Sequence, residues 1–330
     1  MQYKAKLLLV TACLFVALML SVAIGSVFVP LGNIINIIYS HLFGNSAPQT
    51  DEYDAIIWFV RLPRALTAAF AGAALAAAGA FMQGIFRNPM ADPGIIGVSS
   101  GASLGAVISV ALGLPAISIF LMPLTSATGA LLAALFVITI ARKNGQLPAL
   151  RLLLSGVATG MFFGAITYMI LLAISGDKVK QFMFWTTGNF NSAVWVNVWM
   201  VAIPTVFLLV LTAPWLRDLN LLLTGDSQAR ALGINPNRSR FSFMIAASII
   251  AASAVCVGGS ISFIGLIVPH IARRFVGADF RRVLPLVTIG GATLLLICDL
   301  IARTLLNDVS VGIVTSLIGV PYFIVLLRKS

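Results

Sequence analysis

Apolar stretches of membrane-crossing length recur along almost the whole chain, separated by short clusters of glycine, proline and charge. This repetition constrains the fold more than any other feature. A bilayer's hydrocarbon core takes about 20 apolar residues of α-helix, because no water is present there to satisfy backbone N–H and C=O groups. Reading the apolar runs against the punctuation places spans at about 7–29, 62–84, 94–112, 115–141, 149–174, 193–213, 240–258, 261–272, 283–304 and 311–327. The eighth is too short to cross as a straight helix, and the third opens through Pro93 and Gly94. The expected fold is all-α: a polytopic membrane protein of about ten transmembrane helices, with 1–330 forming one domain. Composition agrees, since only 9% of the residues are charged and 60% are hydrophobic, where soluble domains carry roughly 25% charged residues.

The charges set an orientation. There are 21 Lys and Arg against 10 Asp and Glu, a net charge of +11. In a soluble protein that excess would suggest nucleic acid as a partner, but here the cations lie between apolar runs, so no nucleic-acid partner is expected. With the N-terminus inside, only Arg61, Arg64, Lys178, Lys180 and Arg303 fall on the outer side. The positive-inside rule therefore predicts both termini in the cytoplasm. Lys4 and Lys6 precede the first run, which at 7–29 is too long for a signal-peptide core and reads as a retained helix. The longest inner connection, about 218–240, contains Asp226 and Arg230 at i,i+4 spacing with Gly233, Asn235 and Pro236, the pattern of short interfacial helices with a turn.

Several chemistries lack their residues. No lysine follows a glycine, so there is no phosphate loop, and any ATP hydrolysis belongs to another polypeptide. Cys13, Cys256 and Cys298 sit in separate apolar runs, while His41 and His270 have no companion at metal-ligand spacing. No catalytic residue, metal site or cofactor is therefore expected. Asp299 is the one acid well inside a span, and Arg303 follows at i+4, which reads as an internal ion pair. An ion-coupled secondary transporter using Asp299 is the remoter alternative. Arg61 and Arg64 share a helix face at an outer helix start, where neither the dipole nor the positive-inside rule favours cations. They pair with Asp51, Glu52 or Asp54 of the same loop, or they receive an acidic protein from outside.

The polar punctuation carries a resemblance. RLPR at 61–64, Gln83 followed by RNPMADPGIIGVSSGA at 87–102, GGSISFIGLIVPHIARRFVG at 258–277, DLIAR at 299–303 and VGIVTSLIGVPYFIVLL at 311–327 resemble the FecCD-type permeases. These are membrane subunits of binding-protein-dependent ABC importers for ferric siderophores, haem and cobalamin. The resemblance implies a type II ABC importer permease fold in the bacterial inner membrane. It also implies a second permease subunit, identical or paralogous, two cytoplasmic ABC ATPase subunits, a periplasmic or extracellular substrate-binding protein, and membrane lipid around the bundle.

By motif position, Arg61, Arg64 and Arg303 would receive carboxylates of the binding protein. Gly225, Asp226, Arg230, Leu232 and Gly233 would lie in the ATPase-coupling part of 218–240, and Asn88, Met90, Ala149 and Leu150 at an inner gate. A ferric siderophore is the expected cargo, with haem or cobalamin as alternatives. Two departures from the family pattern stand out: NDVSVG at 307–312 replaces a Glu-Leu-Pro-Val-Gly-like segment, and Ala149 and Leu150 are apolar where some relatives carry hydroxyls.

Overall fold

The computed structural model describes residues 3–25, 27, 29–44 and 52–328, and these residues form helices without strands. Fourteen helices organise them: α1 (Tyr3–Ala23), α2 (Leu31–Phe43), α3 (Leu62–Phe86), α4 (Val98–Ala111), α5 (Leu121–Ala141), α6 (Ala149–Ala173), α7 (Gly176–Thr186), α8 (Trp195–Thr212), α9 (Leu216–Leu223), α10 (Asp226–Ala231), α11 (Pro236–Gly258), α12 (Ile264–Val276), α13 (Phe280–Thr304) and α14 (Val311–Leu327). Seven helical stretches are long and apolar enough to cross a membrane: Tyr3–Ala23, Ala55–Phe86, Leu121–Ala141, Ala149–Ala173, Trp195–Leu223, Pro236–Gly258 and Phe280–Thr304. The third, eighth and tenth expected spans are the short helices α4, α12 and α14, of 14, 13 and 17 residues.

Local chemistry explains the boundaries. Asn235 caps α11, its side chain accepting from the backbone N–H groups of Asn237 and Arg238, with Pro236 in the first turn. Asp279 caps α13 by accepting from Arg281 N at 3.0 Å. Ahead of α4, Asp92 accepts from Gly94 N at 2.7 Å and starts the 3₁₀ turn Pro93–Ile96, so this span begins late and is short. The described part of the connection 30–61 is largely helical. It contains α2, and a π-helical stretch, Ala55–Arg61, runs directly into α3.

The core is built around α3, whose small side chains are buried almost throughout. It packs against α13, α11, α12 and α8. A Cβ on Gly72 would run into the Gly291 carbonyl of α13, and one on Gly79 would run into the backbone of Gly265 in α12. Gly101 and Gly129 oppose each other in the same way between α4 and α5. Gln83 of α3 adds a polar link, donating from Nε2 to the Gly265 carbonyl at 3.1 Å. Small residues at crossings let backbones approach closely, which is how helices gain dispersion energy where lipid tails remove the hydrophobic drive.

Gly79→Leu should therefore lower the thermal stability of the detergent-solubilised chain by roughly 1–3 kcal/mol, the cost of overpacking. Gly164→Leu, where nothing lies within 4 Å of the added carbon, should leave the melting curve unchanged. Tryptophan fluorescence against temperature measures both.

Candidate functional site

At the end of the bundle where α1 stops and α3 starts, Arg61, Arg64 and Arg303 converge without being equivalent. Arg61 is only 4% exposed. Its guanidinium donates to the carbonyls of Val22 and Ala23, at 3.0 and 2.9 Å, and to that of Val27. Gly25 makes room, since a Cβ there would sit 2.6 Å from Arg61 Nη2. Arg303 donates to the Ser21 carbonyl and, at 3.1 Å, to Ser21 Oγ. Arg64 holds Asp299 with a fork: Nε lies 3.1 Å from each carboxylate oxygen, and Nη2 is 3.0 Å from Oδ1. Nη2 also reaches Asp308 Oδ1 at 3.2 Å.

These contacts correct two sequence expectations. The expected i,i+4 pair of Asp299 with Arg303 is present but long, 3.9 Å from Nε to Oδ2; the close partner is Arg64, 235 residues earlier. Asp54 does not pair with Arg61 or Arg64. It binds His41 Nε2 at 2.8 Å, and the His41 ring stacks on Trp58 with centroids 4.2 Å apart. Asp51 and the Glu52 side chain lie outside the described residues. Asp299 is itself buried between two guanidiniums. A carboxylate held in this way neutralises the guanidiniums on either side of it.

Beside this cluster, Asn191 Nδ2 donates to Asp308 Oδ2 at 2.8 Å, and Thr187 Oγ1 lies 2.7 Å from Ser310 Oγ. The same turn enters a groove of about 570 Å³ lined by Thr186, Thr187, Ser260, Ser262, Gly312 and Ser316. Its wall mixes hydroxyls with the apolar side chains of α14. Such a surface offers hydrogen bonds but no charge.

At the opposite end lies the segment 218–240. Gly225, with φ 117°, is the N-cap of α10, and Gly233, with φ 86°, ends the turn that follows. Both conformations favour glycine. Leu232 is exposed. The i,i+4 reading of Asp226 and Arg230 is corrected: Arg230 Nε donates to the Asp226 backbone carbonyl at 3.2 Å. The Asp226 carboxylate instead accepts from Arg240 at 2.8 and 2.5 Å, and from Arg87. Hydrogen bonding from Arg240, aided by the Arg240 and Arg87 charges, holds this carboxyl below the usual carboxylate range. Arg240 and Arg87 were missed by the sequence reading, because only tertiary contact relates them to Asp226. Asn220 and Asp279 add a second tie at this end, Nδ2 to Oδ1 at 2.7 Å.

Arg87 connects α10 to the segment that carries Asn88 and Met90. It caps α3 in a left-handed conformation, φ 51°, and the next residue, Asn88, accepts from Met90 N at 2.9 Å. Ala149 and Leu150 open α6, with the Leu150 side chain exposed. The two segments meet where Gly156 packs on the Ile95 carbonyl.

A sequence profile for the FecCD transport family matches residues 13–329. The cobalamin import system permease protein BtuC of Halobacterium salinarum is 42% identical over 283 residues, 85% of this chain and 75% of the relative. The hemin transport system permease protein HmuU of Yersinia pestis is 40% identical over 85% of this chain and 86% of its own. The Fe(3+)-citrate import system permease protein YfmE of Bacillus subtilis is 36% identical over 98% and 94%. A solved metal-chelate type ABC transporter in an inward-facing conformation superposes with a TM-score of 0.86 at 30% identity, covering 98% of this chain and 99% of that one.

Two expectations follow from the geometry. Asp299→Asn leaves the Arg303 guanidinium without a carboxylate and Arg64 with only the half-exposed Asp308, and should destabilise the solubilised chain by on the order of 3 kcal/mol, read from thermal unfolding. For Asp226, the folded carboxyl titrates below its unfolded range. Its tie to α11 is therefore fully present above the ordinary value of about 3.9 and is lost as pH falls through the lowered folded value. Protection from hydrogen exchange over 218–240, relative to the intrinsic rate at each pH, should be high at neutral pH and fall in that acid range. In Asp226→Asn it should be low already at neutral pH, with no acid step.

Proposed function

The chain belongs to the FecCD transport family, and from that premise we propose that it imports a large metal chelate, a ferric siderophore in the first place, as one half of a paired permease. Membership makes it a multi-pass permease of the ABC-importer type, for iron chelates, haem or cobalamin, with ATP hydrolysis lying in a separate subunit. The observation that carries the cargo class is the set of names among relatives covering 84% or more of this chain: cobalamin, hemin and Fe(3+)-citrate. All are bulky complexes in which an organic ligand encloses a metal. The siderophore reading is the narrower choice within that class, with haem and cobalamin as its alternatives.

In this reading the chain sits in a bacterial inner membrane with both termini cytoplasmic, beside an identical or related permease. Two ATPase subunits dock beneath it, and a substrate-binding protein docks on the outer face. The groove of Thr187, Ser260 and Ser316 would form part of the pathway wall. A cargo released by the outer protein must then pass without being held, and scattered hydroxyls on an apolar wall suit that better than a deep charged site.

The segment 218–240 would seat in the ATPase pair through Gly225, Asp226, Arg230, Leu232 and Gly233. Closure of that pair on ATP would push α10, and the Arg240–Asp226–Arg87 link would pass the displacement to Asn88 and Met90 at the inner gate. Each nucleotide state would favour one arrangement because it binds that arrangement better. On the outer face the docking role falls to the cluster of Arg61, Arg64 and Arg303, with the first and third shaping the rim from within.

Purification of the tagged permease from its host should recover an ABC ATPase in stoichiometric amount. The reconstituted complex should take up a ferric siderophore in an ATP-dependent manner that an ionophore does not abolish. Uptake by the permease alone that collapses with an ionophore would instead favour the ion-coupled reading through Asp299. ATP-dependent uptake of haem or cobalamin, with no siderophore uptake, would shift the cargo within the class.

A further inference from the structure

Resting on the docking role proposed above, we propose that Asp308 is a built-in competitor for the carboxylate that docks at Arg64. An outer partner would bind by displacing it. Of the three outer arginines, two are spent on the protein's interior: Arg61 on the carbonyls of Val22, Ala23 and Val27, and Arg303 on Ser21 and Asp299. Arg64 alone reaches outward. One side of its fork is fixed on Asp299, whose side chain is 1% exposed, while Nη2 also meets Asp308, whose side chain is 48% exposed.

The two carboxylates therefore differ in how readily they can be exchanged. Asp299 cannot leave without stranding buried charge, which is costly. Asp308 is itself half-exposed, so water can take up its carboxylate when it leaves Arg64, and giving up the contact costs little. An incoming carboxylate of similar geometry can take its place on the same N–H, because arginine's planar fork accepts any correctly presented carboxylate.

The turn that carries Asp308 is shaped for this exchange. Asn307 and Asp308 both have positive φ, 52° and 62°, a conformation that Asn and Asp tolerate better than most residues. The other Asp308 oxygen accepts from Asn191 at 2.8 Å. Two residues on, Ser310 contacts Thr187, and Gly312 N donates to the Gly188 carbonyl at 3.4 Å. Thr187 and Gly312 both line the hydroxyl-bearing groove. Displacing Asp308 would thus also release Asn191 at the rim of that groove. Weak acidic partners would fail to displace it, so the competitor raises the threshold for docking as well as reporting it.

The probe is a short poly-glutamate peptide, titrated at low ionic strength onto the chain in phosphatidylcholine nanodiscs, with affinity read by thermophoresis. Asp308→Asn should tighten binding by about two- to fivefold, the range a half-exposed ion pair accounts for. Asp308→Ser, which can still accept from Asn191, serves as a second variant and should behave alike. Asp177→Asn removes an equally negative but distant charge, exposed and paired with Lys180, and should change nothing. Arg64→Lys, which keeps a cation for Asp299 but gives up the fork, should weaken binding.

Equal gains from Asp308→Asn and Asp177→Asn would overturn the competitor and leave docking at Arg64 standing, as would no gain from either Asp308 variant. If the parent chain fails to bind the peptide and Arg64→Lys is indistinguishable from it, the docking role itself falls, and the competitor with it.

Discussion

Helices in hydrocarbon gain nothing from the hydrophobic effect when they touch, because the lipid they displace is as apolar as they are. What remains is close approach, and in this chain close approach depends on α3. Its run of Ala and Gly presents so little bulk that α13 and α12 reach its backbone at Gly72 and Gly79. The other helices take their places from that shaft. Both working ends of the molecule are anchored to it: Arg64 stands in its first turn and Arg87 at its cap. A displacement at one end is thus felt by an element that cannot easily bend, since its neighbours fill the space around it.

The two ends handle charge in opposite ways. At the outer end three arginines are brought together against a low-dielectric core, which is tolerable only because carbonyls and Asp299 absorb their donors. At the opposite end a single carboxylate, Asp226, gathers two arginines from different elements; Asp226 and Arg87 are about one-third exposed and Arg240 is buried. Water screens the Arg87 side of that cluster, whereas opening the Arg240 side would leave a buried guanidinium without its partner.

Much of this was legible in the sequence. Ten apolar runs separated by Gly, Pro and charge correspond to ten helices, because the need to satisfy backbone groups inside a bilayer leaves one secondary structure for each run. Asn235 was read only as turn punctuation and Asp279 not at all, although each caps a helix through backbone N–H groups two or three residues on. The polar motifs around RLPR, RNPMADP and PHIAR carried the family on a single reading, because polar residues in such a chain are few and each is held by a specific need. The short helix α2 was not legible: it lies in a connection whose length, and not its composition, was the signal used.

What the sequence determined by itself is therefore the ten membrane helices, the family and part of each charged cluster, Arg61, Arg64, Asp299 and Arg303 at one end and Asp226 at the other. What only the tertiary structure decided is who partners whom. Local spacing suggested Arg303 for Asp299 and Arg230 for Asp226, since residues four apart share a helix face. In the fold those carboxylates go to Arg64, 235 residues earlier, and to Arg240 and Arg87, 14 residues later and 139 earlier. The physical reason is that a planar guanidinium arriving from a neighbouring helix can meet a carboxylate with a full fork, whereas one on the same helix is restricted by its own backbone to a glancing approach. Such meetings depend on how helices cross, and in this chain the crossings are set by where glycine lets two backbones touch.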